Sequence, residues 1–248
     1  MTTRYADLVM ETAARLAEAR SPRETWDVAV AIGNKIGARA MTCGAVMRDS
    51  RGVAWVRTSM EERFLEPFTA ERLYEVDPIQ SAAIAGHVPR YMDIAARLPL
   101  QTDPRARDLH ELALAHGYRH YVNHTWVEGA AEHTFALACE RHPSELFGSG
   151  TAQAFRAVSA MLSAAMRTPG LNDLGDRAFG APWSRLSSAE RDVLSYLGQG
   201  LHPEQIADHL ARPVSQVQRL LERACRRLGT PCPEQAMSLM LVRGGLVL

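Results

Sequence analysis

Lysine is almost missing from this chain: of 28 basic residues only one, Lys35, is a lysine and the rest are arginines. That bias points to a GC-rich coding sequence more than to a binding preference. Net charge is missing as well, because 28 acidic side chains offset the 28 basic ones over 248 residues. A zero total offers no bulk electrostatic pull toward nucleic acid, although a total says nothing about where the charges sit. Cysteine is sparse. Cys43, Cys139, Cys225 and Cys232 form no C-x-x-C pair and no metal-ligand spacing, which excludes a disulfide scaffold and suits a reducing cytoplasm. No apolar run approaches the roughly 18 residues of a bilayer span. The opening MTTRYADLVMETAARLAEAR carries Asp7, Glu11 and Glu18 among its apolar positions, unlike a signal peptide. A soluble, cytoplasmic protein without a membrane partner is the expectation. No H-E-x-x-H, G-x-S-x-G or phosphate-binding glycine loop is present, so neither an enzyme nor a metal or cofactor site is expected.

What remains is an ordinary globular composition, 46% hydrophobic and 23% charged, long enough for one large domain or two modest ones. Residues 5–36 read as helix with a break at Ser21-Pro22, where Ser21 can cap a second helix. Met41–Met47 and Val53–Arg57 flank the turn-rich Asp49-Ser50-Arg51-Gly52 and read as a hairpin. Helical spacing returns from Glu61 to Gly86, interrupted at Asp77-Pro78 because a residue before proline avoids the helical region. Asp103–His116 reads as a helix stopped by Gly117. Tyr121–Val127 and His133–Cys139 then alternate around Glu128-Gly129 as a second hairpin. Thr151–Met166 places Phe155, Val158, Leu162 and Ala165 on one helical face. Thr168–Ser184, rich in Gly, Pro, Asn and Asp, reads as a linker. An α+β domain over residues 1–167, a linker over 168–184 and a helical domain over 185–248 follow.

The helical domain carries the sharpest signal. Ser187 and Glu190 are spaced as a capping box. They open a helix running to Gln199 and stopped by Gly200. Pro203–Leu210 and the longer Pro213–Leu228 come next, and Pro233–Arg243 supplies a fourth helix. Two helices joined by a tight turn, the second longer, suit a helix-turn-helix reader. Between Arg212 and Arg227 stand five arginines (Arg212, Arg219, Arg223, Arg226, Arg227) and one acid, Glu222, a local balance of +4. Over residues 186–248 seven basic residues meet six acidic ones, a balance of +1. One arginine-lined helix is thus concealed within a near-neutral domain. Such a helix can contact phosphates and guanine edges.

The segment LSSAERDVLSYLGQGLHPEQIADHLARPVSQVQRLLERACRRLGTPCPEQAMSLMLVRGGLV resembles the helix-turn-helix domain of LuxR-type transcriptional regulators. Glu190, Leu194, Gly200, Ile206-Ala207, Val217 and Arg227-Leu228-Gly229 carry the resemblance. It departs where the family has Ile-Ser entering the recognition helix, then Thr and His. Here stand Arg212-Pro213, Gln216 and Leu220. Losing the Ser removes a helix cap, typically worth about 1 kcal/mol. The resemblance implies DNA contacts from Arg212, Ser215, Gln216, Gln218, Arg219, Arg223 and Arg227, with Gln suited to adenine and Arg to guanine.

The resemblance also implies that residues 1–167 are an autoinducer-binding domain, an α-β-α sandwich with an antiparallel sheet that encloses an acyl-homoserine lactone. Asp77-Pro78 matches the family's Asp-Pro pair, and Gly117 its later Gly. Phe64 and Phe68 stand at the positions of a Trp and a Tyr, and Tyr91 near a further Trp. Ligand-binding candidates are Met60, Phe64, Phe68, Asp77, Tyr91 and Thr134. The two phenylalanines supply neither an N–H nor an O–H, and an unpaired buried carbonyl costs about 1–3 kcal/mol. The pocket therefore binds a lactone weakly, binds a different small apolar ligand, or is filled by its own side chains.

His116, His120 and His124 recur every four residues, but Gly117 and the strand-like YVNHTW break the helix a metal site would need. Asn123-His-Thr125 fits the glycosylation pattern and carries no weight without secretion. The function implied is a quorum-sensing-type regulator that binds a palindromic operator as a homodimer, the last helix before the linker helping to pair protomers. Pro213, Gln216 and Leu220 leave open an interaction protein that inactivates a related regulator by heterodimerisation.

Overall fold

The computed structural model describes residues 2–142, 145, 151–166, 186–244 and 246. The linker expected over 168–184 lies outside the described residues. The chain is α+β. Helices α1 (Thr2–Glu18) and α2 (Pro22–Lys35) precede the hairpin β1 (Ala38–Met47) and β2 (Val53–Thr58). Next come α3 (Glu62–Ala70), α4 (Pro78–Ala85), β3 (Tyr91–Asp93), the single turn α5 (Ile94–Arg97) and α6 (Pro104–Ala115). A second hairpin, β4 (His120–Glu128) and β5 (Ala131–Cys139), leads to α7 (Thr151–Ala165). Four more helices complete it: α8 (Ser188–Gly198), α9 (Pro203–His209), α10 (Val214–Leu228) and α11 (Pro233–Val242). No described helix is long and apolar enough to cross a membrane.

Local chemistry sets the boundaries. The Ser21 hydroxyl accepts from the Glu24 amide with Pro22 next in line, so α2 starts where the sequence places it. At the end of α6, Gly117 takes a left-handed conformation with φ of 74°, and the Tyr118 amide closes onto the Ala113 carbonyl. Asp93, on the short strand β3, caps α5 through the Ala95 amide at 2.9 Å. That strand lacks the length for a readable alternation, and the sequence does not announce it.

The five strands form one antiparallel sheet in the order β2-β1-β5-β4-β3. Because side chains alternate across a strand, the two central strands sort by size. Met41, Cys43 and Met47 of β1 with Phe135 and Leu137 of β5 face α2 and α7. Against them pack Ala29, Ile32, Phe155, Val158 and Leu162. Gly33 of α2 keeps that approach close, since an added Cβ would sit 2.4 Å from Met41 Sδ. Phe155, Val158 and Leu162 are thus buried inside the protomer. On the other face lie Ala40, Ala136, Ala138 and Tyr121, covered by Phe64, Leu65 and Phe68 of α3 and by Leu109 and Ala113 of α6.

The helical segment continues the first of these cores. Leu194, Ile206, Val217, Leu221 and Ala224 join its helices, and the cluster runs unbroken to Trp55. The Arg243 guanidinium, 2% exposed, donates from Nε to the Ala54 carbonyl at 2.8 Å.

Phe135 is fully buried at the centre of the sheet. Phe135→Ala is expected to lower stability by about 3–5 kcal/mol, read as a shift of the urea unfolding midpoint at unchanged slope.

Candidate ligand pocket and nucleic-acid interface

The small residues on the second sheet face leave space beneath the helices. Thr42, Gly44, Thr134 and Ala136 form the floor of a pocket with Val56 and Thr58 of β2. Met60, Leu65, Phe68, Ile79, Gln80 and Ala83 close it from above. The pocket encloses about 90 Å³ and its wall is mostly carbon. The floor row is set by register, Thr42 lying opposite both Thr58 and Ala136, and Gly44 opposite Val56 and Thr134.

Two polar groups meet at its inner end. Asp77 caps α4, its Oδ1 accepting from Ile79 N at 2.7 Å and Gln80 N at 2.8 Å. Burial pushes its carboxyl above the ordinary range, against those two amides and the nearby His110 that favour the charged form. Tyr121 is 6% exposed and lines the same pocket. Burial, with Asp77 beside it, pushes the Tyr121 phenol well above its ordinary value. The hydroxyl therefore stays protonated and able to donate. The sequence reading missed Tyr121. The alternation of β4 places it on the pocket side, but only the sheet order shows that this side is the hollow one.

Of the candidates read from sequence, Met60, Phe68, Asp77 and Thr134 line this pocket together. Phe64 does not reach it. It is 2% exposed, stacked on Phe68 at 5.4 Å and edge-on to Tyr118 at 5.1 Å. The gap it shares with Asp77 and Tyr121 holds only about 10 Å³, so the space on that side is filled by the protein's own side chains. Tyr91 faces away. Its β3 neighbour Met92 pairs with Tyr121 on the pocket side, and Tyr91 with Val122 on the other. There it is 42% exposed and its hydroxyl lies 2.9 Å from His120 Nδ1. His116 ends α6 and His120 and His124 sit on β4, so the three never share a helix face.

In the helical segment α9 and α10 are joined through Ala211, which takes a left-handed φ of 48°. Helix α10 starts at Val214, one residue later than the sequence suggests, because Pro213 stays extended as the N-cap and provides no side-chain acceptor. The amides beyond it depend on backbone alone, Gln216 N donating to Pro213 O at 2.9 Å. Val217, Leu220, Leu221, Ala224 and Leu228 turn inward. Arg212, Ser215, Gln216, Gln218, Arg219, Arg223, Arg226 and Arg227 are all exposed. Two of the arginines are engaged. Arg227 lies 3.2 Å and Arg223 3.7 Å from the carboxylate of Glu190, itself 1% exposed. Glu190 also completes the capping box, accepting from Ser187 N at 2.8 Å while its own amide donates to Ser187 Oγ. One buried carboxylate thus starts α8 and fixes the far end of α10. An exposed row of Arg212, Ser215, Gln216, Gln218 and Arg219 can reach a groove edge or phosphates.

Crystallised Escherichia coli SdiA is similar over 98% of this chain and 100% of its own, with a TM-score of 0.51 and 15% sequence identity. The chain has the SdiA fold. SdiA in complex with octanoyl-rac-glycerol is likewise similar, at a TM-score of 0.50 and 14% identity, over 98% of this chain and 95% of that one. No protein-family model matches the chain, and no curated protein does. At such identities the likeness to SdiA is one of architecture.

Burial alone would raise the Glu190 pKa, but the Ser187 hydrogen bonds and then Arg227 and Arg223 outweigh it and hold it below the ordinary carboxylate range. The unfolded chain therefore binds a proton at higher pH than the folded one. Stability from this network is complete above the unfolded carboxylate value and is lost as pH falls through the lowered folded one. Glu190→Gln should be less stable than the parent at neutral pH, with the gap closing in acid, measured by thermal melts from pH 7 to pH 3.

Proposed function

We propose that the protein is a quorum-sensing-type transcriptional regulator that binds operator DNA as a dimer and is controlled by a small apolar ligand. The observation that carries this reading is the pairing, in one chain of SdiA fold, of a mostly carbon-walled pocket with an exposed arginine- and glutamine-bearing helix after a tight turn. An acyl-homoserine lactone or a related apolar carbonyl compound fits the pocket's chemistry. Tyr121 O–H donates to a carbonyl, Asp77 accepts an N–H, and Met60, Leu65, Phe68 and Ile79 hold the tail. SdiA itself is known with octanoyl-rac-glycerol bound, which supports an acyl-chain ligand here. Phe68, Thr134 and Met60 shape the pocket, while Phe64 supports it from behind.

DNA binding is assigned to Arg212, Ser215, Gln216, Gln218 and Arg219, with Arg223 and Arg227 at the rim where Glu190 shares their charge. That sharing, together with the uncapped start of α10, is what favours the second reading, an interaction protein that disables a related regulator by heterodimerisation. A gel shift on DNA upstream of candidate target genes separates the two. A specific shift whose affinity falls steeply with salt supports the regulator, and a folded dimer without any specific shift supports the interaction protein.

On a bound operator, Arg219→Ala or Gln216→Ala should cost about 1–3 kcal/mol and relax preference at one base position. Unchanged affinity in both would remove α10 from the recognition role. For the pocket, Tyr121→Phe keeps the ring and removes the donor. Octanoyl-homoserine lactone affinity should fall roughly tenfold, the loss of one buried hydrogen bond of about 1 kcal/mol or slightly more, measured by calorimetry.

A further inference from the structure

A second, larger cavity lies on the opposite face of the sheet, between the strands and α11. It measures about 340 Å³ and is lined by Trp55, His133, Met166, Leu241 and Val242, with Glu128 at the hairpin tip. The sheet register explains why it exists. Trp55 and His133 both lie opposite Ala45, so a methyl separates two large rings across three strands. Their centroids are 5.9 Å apart, and Trp126 stacks on the far side of His133 at 5.0 Å.

Both rings carry an unanswered polar atom. Trp55 Nε1 and His133 Nδ1 are buried and have no hydrogen-bond partner among the described residues, in side chains only 2% and 6% exposed. Buried N–H groups in folded proteins are nearly always paired. An indole nitrogen can only donate, so what is missing beside Trp55 is an acceptor. Charge narrows the choice. Glu128 on the lining disfavours an anion, and the buried Arg243 guanidinium, which is off the lining but bonded to the carbonyl of Ala54 next to Trp55, disfavours a cation. Met166, Leu241 and Val242 offer carbon to the remainder of an occupant.

We propose that this cavity is a second ligand site, for a small neutral molecule with an apolar body and a carbonyl acceptor, seated between Trp55 and His133 and the Leu241–Val242 end of α11. Such a molecule touches the sheet and the helical segment at once. It therefore binds only the arrangement in which Arg243 holds Ala54, and it favours that arrangement by mass action. The site is separate from the pocket under α3 and α4, which opens on the other face of the sheet.

The test uses the full chain, ¹⁵N-labelled, titrated with octanamide. The chain has four tryptophans, and the Trp55 indole resonance is identified by its loss in Trp55→Phe. A saturable downfield shift of the Trp55 indole proton is expected. It should vanish in Ser238→Trp, which fills this cavity, and persist in Ala136→Leu, which fills the other pocket. If either variant does not fold, intermolecular NOEs from octanamide to the Leu241 and Val242 methyls of the unaltered chain decide in its place. An unmoved Trp55 resonance, a shift that survives Ser238→Trp, or NOEs confined to the Thr134 and Ala136 methyls would overturn the proposal.

Discussion

The division of β1 and β5 into a large-residue face and a small-residue face governs most of what this molecule does. Met41, Phe135 and Leu137 fill the space beneath α2 and α7, so that side is solid at the centre of the sheet. Thr42, Gly44, Thr134 and Ala136 cannot fill the space beneath α3 and α4, so a pocket remains. Strand geometry makes the two outcomes inseparable, because each residue moved from one face to the other would shift its neighbours as well. The hollow side must then be roofed by helices with their own anchors. Asp77 caps the start of α4, and the Arg51 guanidinium donates to the Ile84 carbonyl near its end at 2.7 Å. The roof is held at both ends and leaves the middle free to line the pocket.

A comparable economy holds the helical segment together. Glu190 is the point where α8 and α10 meet, and its carboxylate serves a cap and two arginines at once. Removing the arginines would leave the buried Glu190 carboxylate short of compensation, whereas the two arginines, about half exposed, keep water on their other side. The same geometry sets a functional limit. The arginine stripe reads +4 along the sequence, yet part of that charge is already answered inside the fold. Gln216, Gln218 and Arg219 are exposed in the first half of α10, and among the described residues none of them pairs with Glu190.

Much of this is legible in the sequence. Caps and hairpins are local, and Ser21, Ser187 with Glu190, and Gly117 behave as their neighbours dictate. The helix-turn-helix could be read because its spacing and residue types agree over the whole segment. The site was only partly legible. Asp77 and Phe68 do reach the pocket, but sequence offsets from Asp77 could not say that Phe64 turns behind the wall or that Tyr91 faces the opposite side. Those are facts of strand parity and helix rotation, decided by long-range pairing. Tyr121 was invisible for the same reason: its alternation is clear, but which face is hollow depends on Thr42 and Gly44, about eighty positions earlier. Pro213 shows the converse. Its tolerance in a first helical turn is a local rule, yet the chain instead leaves it outside and starts the helix one residue later.

Strand β2 is where the parts of the molecule come closest. It is a strand of six residues at the edge of the sheet among the described residues, paired to β1 beside a register shift between Ala45 and Val46. Val56 and Thr58 are walls of the pocket beneath α3 and α4. Ala54 gives its carbonyl to Arg243, and Trp55 lies against the cavity beneath α11. Burial lowers the Arg243 pKa to about 10, so this guanidinium has given up hydration to make that contact. A contact of that kind is sensitive to the position of its acceptor, since a charge-assisted hydrogen bond weakens quickly with distance and angle. A displacement of β2 would therefore move the acceptor of Arg243 and a wall of the pocket together.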